Sequence, residues 1–279
     1  MGSEPPVAKA PKQDPEAEMS FIDHLEELRM RILKGLIGIA VGVIIAFIFS
    51  DFIIKNVLLG PVSKDFFVYK WLGIDAMDIT LQSRKLPGQF FTFWGTLFMV
   101  GIIMGAPLFF HQIWKFVTPA LESKEKHKTQ FVVFFISFLF MVGVSFGYFI
   151  LTPFALQFFT HFQISELVRN DFDINEYFSS LTMWVLSTGI IFQLPMVSYF
   201  LSRIGLLTPV FMRAYRRHAI VVFFILGAFL TPPDPISQVM VAVPLILLYE
   251  ISIGISGYAN KKRNKEIWGK SDSPIEPLD

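Results

Sequence analysis

Long stretches without a charged residue dominate this chain, and short charged segments separate them. A helix that crosses the hydrocarbon of a bilayer needs about 20 apolar residues, and its backbone polar groups must be paired within the segment. The pattern therefore predicts an all-α integral membrane protein with six transmembrane helices. We place them at residues 35–54, 86–114, 129–165, 177–202, 218–233 and 235–260.

The last two predicted spans form a short hairpin. The fifth window has only 16 residues, between Arg217 and Asp234. At 1.5 Å per residue it reaches about 24 Å, less than the roughly 30 Å of hydrocarbon. The turn TPPDP, with Pro232, Pro233 and Asp234, reverses the chain because proline cannot continue a helix. We expect a thinner bilayer or a lower outer rim on this side.

The stretch FIDHLEELRMR precedes the first span and is rich in charge. Ser20 and Asp23 fit a capping box, so we expect a helix to begin near Phe21 and to lie along the interface before it enters the first span. Glu27 and Arg31 form an i, i+4 pair. Taken alone, the stretch is equally compatible with a solvated flank and with a binding element. Its apolar face comprises Phe21, Leu25, Leu28 and Ile32.

The composition supports lipid as the solvent of this chain. Of its 279 residues, 53% are hydrophobic and only 17% are charged, and the mean hydropathy is +0.54. The net charge of +1 gives no basic field that would favour nucleic acid. Cysteine is absent and the five histidines lack ligand spacing, so we expect neither a metal site nor a cofactor.

The basic residues predict the orientation. With the N-terminus in the cytoplasm, 18 of the 24 Lys and Arg residues fall on the inner side and six on the outer side. The positive-inside rule then favours two cytoplasmic termini. We expect a disordered tail over 1–18, rich in Pro, Ala and charge, a membrane domain over 19–260 and a cytoplasmic C-terminal tail over 261–279.

Two small-residue motifs lie within the predicted spans. GVSFG (143–147) matches the pattern of a serine nucleophile, but no strand is predicted before it. We interpret it, together with GIIMG (101–105), as a site of close helix packing. An intramembrane enzyme would also need a nucleophile and base pair that the sequence lacks, so we expect no catalytic residue.

Polar residues within or next to the spans are the remaining candidates for function. Such residues tend to face protein or water and often mark functional sites, although they also form ordinary hydrogen bonds between helices. A solute or ion carrier is the alternative, but it predicts inverted repeats and buried charges, which are not evident. The candidates are Gln193, Thr231, Gln238 and Glu250.

Several motifs together resemble the TatC family, the polytopic core subunits of the twin-arginine protein translocase. The resemblance covers roughly residues 19–260, and the motifs follow the family's order. It rests on HLEELRMR (24–31), GAPLFFHQIWKFVTPALESKEK (105–126), FQLP (192–195), LTPPDPISQ (230–238) and a PxxLxYEISI ending (244–253).

The resemblance implies a concave, glove-like bundle in the bacterial inner membrane, without enzymatic chemistry. It implies docking of folded precursors that carry Arg-Arg signal peptides, and export driven by the proton-motive force. It assigns the paired arginines to Glu27 and Glu125, and links Arg29 and Phe116 to the same cytoplasmic site. Glu26 and Glu122 are less typical positions.

The resemblance also implies partners within the membrane. Single-span subunits of the TatA and TatB type would bind at Thr231 and Gln238, and the chain would self-associate within the receptor complex. Many relatives carry Glu where this chain has Gln193, so we expect no ionised group at that position.

Overall fold

Helices account for most of the computed structural model, which describes residues 21–75, 79–117, 126–165, 170–231 and 235–268. Two π-helical turns, Ile53–Leu58 and Gly147–Leu151, and a 3-10 turn, Gly60–Val62, join some of the helices. The helices are α1 (Phe21–Ile48), α2 (Ser50–Phe52), α3 (Phe67–Leu72), α4 (Gly88–Val117), α5 (Lys126–Phe146), α6 (Thr152–His161), α7 (Ile174–Ile191), α8 (Leu194–Arg203), α9 (Pro209–Ala214), α10 (Arg216–Leu230) and α11 (Pro235–Trp268).

Five helical segments of the described chain are long and apolar enough to cross a membrane. The remaining predicted span is the fifth, 218–233; it corresponds to α10, whose 15 residues reach about 22 Å. Its shortness confirms the expected short hairpin. The long segments are Leu25–Ile48, Gly88–Phe116, Val132–His161, Ile174–Arg203 and Gln238–Lys265.

The helix α1 is uninterrupted from Phe21 to Ile48. The charged stretch is therefore the first part of the spanning helix itself, so the expectation of a separate segment along the interface is wrong. The apolar periodicity of residues 21–32 runs on in phase with that of the span, which leaves no signal for a break. Residue 20 lies outside the described residues, so the predicted start near Phe21 and the capping box with Ser20 stay predictions.

Glycines bring α1 and α4 into backbone contact. A Cβ atom on Gly42 would lie 2.4 Å from the carbonyl oxygen of Gly101, and one on Gly105 would lie 2.5 Å from the Cα atom of Ile39. No side chain fits at these distances, so the two helices can approach only through glycine. The interpretation of GIIMG as a packing motif is confirmed.

The motif GVSFG lies where α5 meets α7. A Cβ atom on Gly143 would come within 2.6 Å of the carbonyl oxygen of Thr188, and one on Gly147 within 2.8 Å of the Cα atom of Val185. Ser145 lies on the exposed side of the same helix. Residues 126–146 are helical and no strand precedes the serine there, so this motif also serves helix packing.

The loop between the first two long spans forms a compact cap on the bundle. Three tyrosine hydroxyls donate to its carbonyl oxygens: Tyr69 to Pro61, Tyr148 to Val57 and Tyr177 to Leu58. Burial raises the pKa of Tyr69 to about 12, so this loop tyrosine stays protonated and remains a donor. No local pattern in this segment, which carries five basic residues, predicts such a fold.

A short parallel pairing joins the loop before α4 to the loop before α7. Strand β1 (Leu81–Gln82) pairs with β2 (Phe172–Asp173), in the register Leu81 to Phe172. Asp173 also caps α7 by accepting from the backbone N–H of Asn175 at 2.8 Å. The carboxylate accepts in addition from the backbone N–H of Arg84 at 3.1 Å. One side chain therefore fixes both the strand pairing and the start of a spanning helix.

The helices α10 and α11 form an antiparallel hairpin. The amide of Gln238 donates to the carbonyl oxygen of Phe224 at 3.0 Å near the turn, and Arg216 contacts Glu250 at the other end. The turn residues Pro232, Pro233 and Asp234 lie outside the described residues. At its far end α11 continues to Trp268, so the first part of the segment expected as a tail is helical. The hairpin packs on α6 and α7 through Phe223, Leu230, Val241 and Leu245.

Candidate functional site

Glu27 and Arg31 form an ion pair on the N-terminal turns of α1. The guanidinium donates twice to one carboxylate oxygen: Nη2 lies 3.0 Å and Nε 3.3 Å from Oε1 of Glu27. The side chains are only 24% and 25% exposed, respectively. The second oxygen, Oε2, accepts no hydrogen bond from the residues that the structure describes. The predicted i, i+4 pair is confirmed.

A shallow groove of about 320 Å³ opens beside this ion pair. Its lining on α1 contains two carboxylates and two basic side chains, so these residues carry no net charge. Glu26 lies in this groove next to Glu27, although the sequence favoured only Glu27. The described lining residues are Glu26, Glu27, Met30, Arg31 and Lys34.

The end of α4 lies at the same level as this part of α1. Phe109 packs against Gly35, where a Cβ atom would come within 2.7 Å of its ring. Because the helices are antiparallel, Phe116, about two turns further along α4, lies level with Leu28. The packing of α1 on α4 therefore brings the Phe116 and Glu27 regions together.

The remaining residues assigned to the same site differ in what the structure places. Arg29 is exposed on α1 and forms no ion pair within the described ranges. Glu125 lies outside the described residues, and so does Glu122. Trp114, one turn before the end of α4, is buried against Ile136 and Met196 and so anchors that end of α4 to α5 and α8.

Gln193 lies at the junction of α7 and α8. Its amide nitrogen donates to the carbonyl oxygen of Ile136 on α5 at 3.2 Å. Its oxygen Oε1 is buried and has no partner in the described part of the chain. The side chain thus joins three helical segments as a neutral hydrogen-bonding group. This role needs no ionised group at the position.

Thr231 and Gln238 converge on one turn of α10. The hydroxyl of Thr231 donates to the carbonyl oxygen of Gly227 at 2.9 Å, and a Cβ atom on Gly227 would lie 3.2 Å from the carbonyl oxygen of Gln238. Next to them is a shallow, mostly apolar groove of about 440 Å³. It is lined by Val221, Phe224, Ile225, Ala228, Phe229 and Gln238.

Glu250 lies far from that groove, at the opposite end of the hairpin. Its carboxylate accepts from Nη2 of Arg216 at 2.7 Å, and both side chains are almost half exposed. The neighbouring hydroxyl of Tyr249 donates to the carbonyl oxygen of Met212 at 2.9 Å. These contacts fasten α11 to the corner between α9 and α10, so Glu250 is compensated and not an isolated charge.

Two polar contacts between α8 and α11 were not predicted from the sequence. The hydroxyls of Ser202 and Ser256 are buried and lie 2.7 Å apart. Gly205, with φ at 87°, lies under the guanidinium of Arg263 and would not accept a side chain. Only the positive φ has a sequence signal, since glycine after a helix commonly adopts it. Among the described residues no group of three His, Asp or Glu side chains could hold a metal ion.

Comparisons with known proteins agree with this architecture. The family model "Sec-independent protein translocase protein (TatC)" matches residues 23–244. The chain is similar to "Sec-independent protein translocase protein TatC" of Blattabacterium sp. subsp. Periplaneta americana, with 36% identity over 88% of this chain and 98% of that protein. It is also similar to the TatCy protein of Bacillus subtilis, with 34% identity over 89% of this chain and 92% of the relative.

A solved structure agrees as well. The chain is similar to a crystal structure described as "Twin Arginine Translocase Receptor- TatC", with a TM-score of 0.68 and 32% identity. The alignment covers 85% of this chain and 99% of that chain. This likeness confirms the predicted all-α membrane bundle.

Proposed function

Because this chain belongs to the TatC family and is therefore a multi-pass membrane subunit of the Sec-independent protein translocase, we propose that it is the receptor for Arg-Arg signal peptides. The paired arginines would be bound at Glu27 and Glu125, on two separate segments. Family membership makes the chain a transport protein and does not favour the solute or ion carrier.

The observation that supports this site best is the open oxygen of Glu27. Glu27 lines a groove of about 320 Å³, and no described residue donates to its Oε2. A guanidinium presents a planar fork of N–H donors and forms short, charge-assisted hydrogen bonds with a carboxylate. Phe116 at the same level of α4 adds an aromatic side chain beside the site.

An exposed ion pair contributes only about 0–1 kcal/mol, so two carboxylates do not account for firm binding. The apolar segment of the signal peptide would supply the rest by packing on the lipid-facing side of the bundle. Arg29, exposed on α1 near the groove, would interact with backbone carbonyls or acidic groups of the precursor.

We propose a second site for single-span TatA-type and TatB-type subunits on the groove beside Thr231 and Gln238. This groove lies on the shortest spanning helix, and most of its described lining is apolar. The buried Oγ1 of Thr231 and the Gln238 amide are both already bonded to backbone. A partner helix would therefore be held mainly by van der Waals packing. Self-association in the receptor complex is a further part of this proposal.

We place both termini in the cytoplasm and the protein in the bacterial inner membrane. This orientation puts the groove of Glu27 and the basic end of α11 on the inner side, in agreement with the excess of basic residues there. Energy for export would come from the proton-motive force through the assembled complex.

Binding of a labelled signal peptide to the purified full-length chain tests the receptor proposal. We expect an Arg-Arg peptide to bind and a Lys-Lys peptide to bind more weakly. Either Glu27→Ala or Glu125→Ala should lower the affinity of the chain for the Arg-Arg peptide several-fold. The matched control is Glu176→Ala, which removes the same charge on the outer side. Unchanged binding in the Glu27→Ala, Glu125→Ala double variant would overturn the assignment.

A further inference from the structure

The pair of Glu27 and Arg31 resembles the complex that a signal-peptide arginine would form. An arginine of the chain itself already binds the carboxylate that the proposed function assigns to cargo. Both of its hydrogen bonds go to Oε1, at 3.0 and 3.3 Å, and no described residue donates to Oε2. An incoming cation therefore meets a carboxylate whose charge is compensated and whose free oxygen lies next to a guanidinium.

We infer that Arg31 is a specificity-determining residue that makes Glu27 accept a guanidinium in preference to an ammonium. The inference rests on the proposed function, because it concerns the same carboxylate. It adds a repulsive element to the attractive one, and specificity often depends on such an element.

The physical reason lies in the different charge distribution of the two cations. A lysine ammonium is a compact, strongly hydrated point charge, so placing it at Oε2 sets its concentrated charge beside the guanidinium of Arg31 at the cost of its hydration. A guanidinium spreads its charge over a plane, is weakly hydrated and can donate to Oε2 along a defined direction. The neighbouring Arg31 therefore penalises lysine more than arginine.

The geometry of the helix fixes this arrangement in advance. Residues four apart lie on one face of α1, so Arg31 reaches Glu27 from the same helix without any change in the fold. The two side chains are each about one quarter exposed, which restricts the rotation of the carboxylate. Since the described lining of the groove is neutral overall, a bare positive charge gains little there, and directional hydrogen bonds decide.

Lys34 provides a matched control. It lines the same groove and carries the same charge, but it makes no ion pair with Glu27. Arg31→Met and Lys34→Met therefore remove equal charge, and only the first frees Oε1. We expect Lys34→Met to raise the affinity for the Arg-Arg peptide and for the Lys-Lys peptide by the same factor.

The experiment measures the dissociation constants of labelled Arg-Arg and Lys-Lys peptides with the full-length chain in detergent. We expect Arg31→Met to lower the preference for Arg-Arg by roughly three- to fivefold, the range that an exposed ion pair can supply. Arg31→Lys, which keeps the charge but not the planar fork, should give an intermediate preference. The thermal unfolding midpoint of each variant checks that it folds.

Three results would overturn the inference. One is an unchanged preference in both folded Arg31 variants, and another is an equal loss of preference in Lys34→Met. These leave the receptor proposal intact as long as Glu27→Gln still weakens binding of the Arg-Arg peptide several-fold. If Glu27→Gln binds that peptide as the unmodified chain does, the proposed site itself fails, and the inference fails with it.

Discussion

The guanidinium of Arg216 lies 2.7 Å from the carboxylate of Glu250 and joins the first turn of α10 to the middle of α11. The contact closes the open end of the short hairpin, opposite the turn. It also compensates a positive charge at a helix N-terminus, where the helix dipole disfavours it. The sequence showed Glu250 only as a charge within an apolar stretch.

Exchanging the two charges tests this contact. Arg216→Glu alone and Glu250→Arg alone place like charges together, so we expect each to lower the thermal unfolding midpoint in detergent. The double variant restores the pair and should recover most of the loss. Since both side chains are almost half exposed, the coupling should be about 1 kcal/mol or less. A double variant no more stable than the sum of its singles would contradict it.

The close approach of α1 and α4 predicts a large effect from one methyl group. A Cβ atom on Gly42 would lie 2.4 Å from the carbonyl oxygen of Gly101, so Gly42→Ala must push the helices apart. We expect the free energy of unfolding to fall by about 1–3 kcal/mol, the usual cost of overpacking. Urea or thermal unfolding measures this change.

Gly257→Ala is the matched control for this substitution. A Cβ atom at Gly257 meets nothing within 4 Å, and alanine favours a helix interior by about 1 kcal/mol over glycine. We therefore expect unchanged or slightly higher stability. Equal effects of the two substitutions would refute the packing argument.

We expect a single hydroxyl, that of Tyr177, to stabilise the loop between the first two spans. Tyr177 donates to the carbonyl oxygen of Leu58 at 2.6 Å, and the contact is buried. Tyr177→Phe leaves that carbonyl unpaired, which costs about 1–3 kcal/mol. We expect a lower unfolding midpoint and faster amide hydrogen exchange in residues 53–75. Tyr258→Phe, at an exposed position on α11, should change neither.

Asp173 predicts a dependence of stability on acid. The hydrogen bonds from Asn175, its side chain first, and from Arg84 hold the pKa of this carboxyl below its ordinary value. A lowered pKa in the folded chain means that the stabilisation is present above the unfolded pKa of about 4 and is lost as the pH falls through the folded value.

We therefore expect Asp173→Asn to unfold at a lower temperature than the unmodified chain at pH 7, and the difference to shrink as the pH falls below about 4. The measurement is the unfolding midpoint of both proteins from pH 7 to 3. Asp65→Asn, which changes an exposed carboxylate in the loop between the first two spans, serves as the control. A difference that stays constant with pH would show that the ionised form is not what matters.

Family membership was accessible from the sequence because it rests on several short motifs in a fixed order, and the comparisons confirm it. The site residues differ in this respect. Glu27 could be chosen from its motif, but its pairing with Arg31 through a single oxygen depends on rotamers that a sequence does not state. The assignment of Glu125 to the paired arginines stays a prediction, since this residue lies outside the described residues.

The sequence by itself determined the number and the approximate bounds of the spanning segments, and their apolar character. These follow from local hydrophobicity, because the bilayer demands apolar runs of a set length. Tertiary structure decided the contacts between distant segments: glycine against glycine between α1 and α4, tyrosine hydroxyls on the outer cap, Arg216 on Glu250. Such contacts depend on which faces of the helices meet and in what register, and no local pattern encodes that relation.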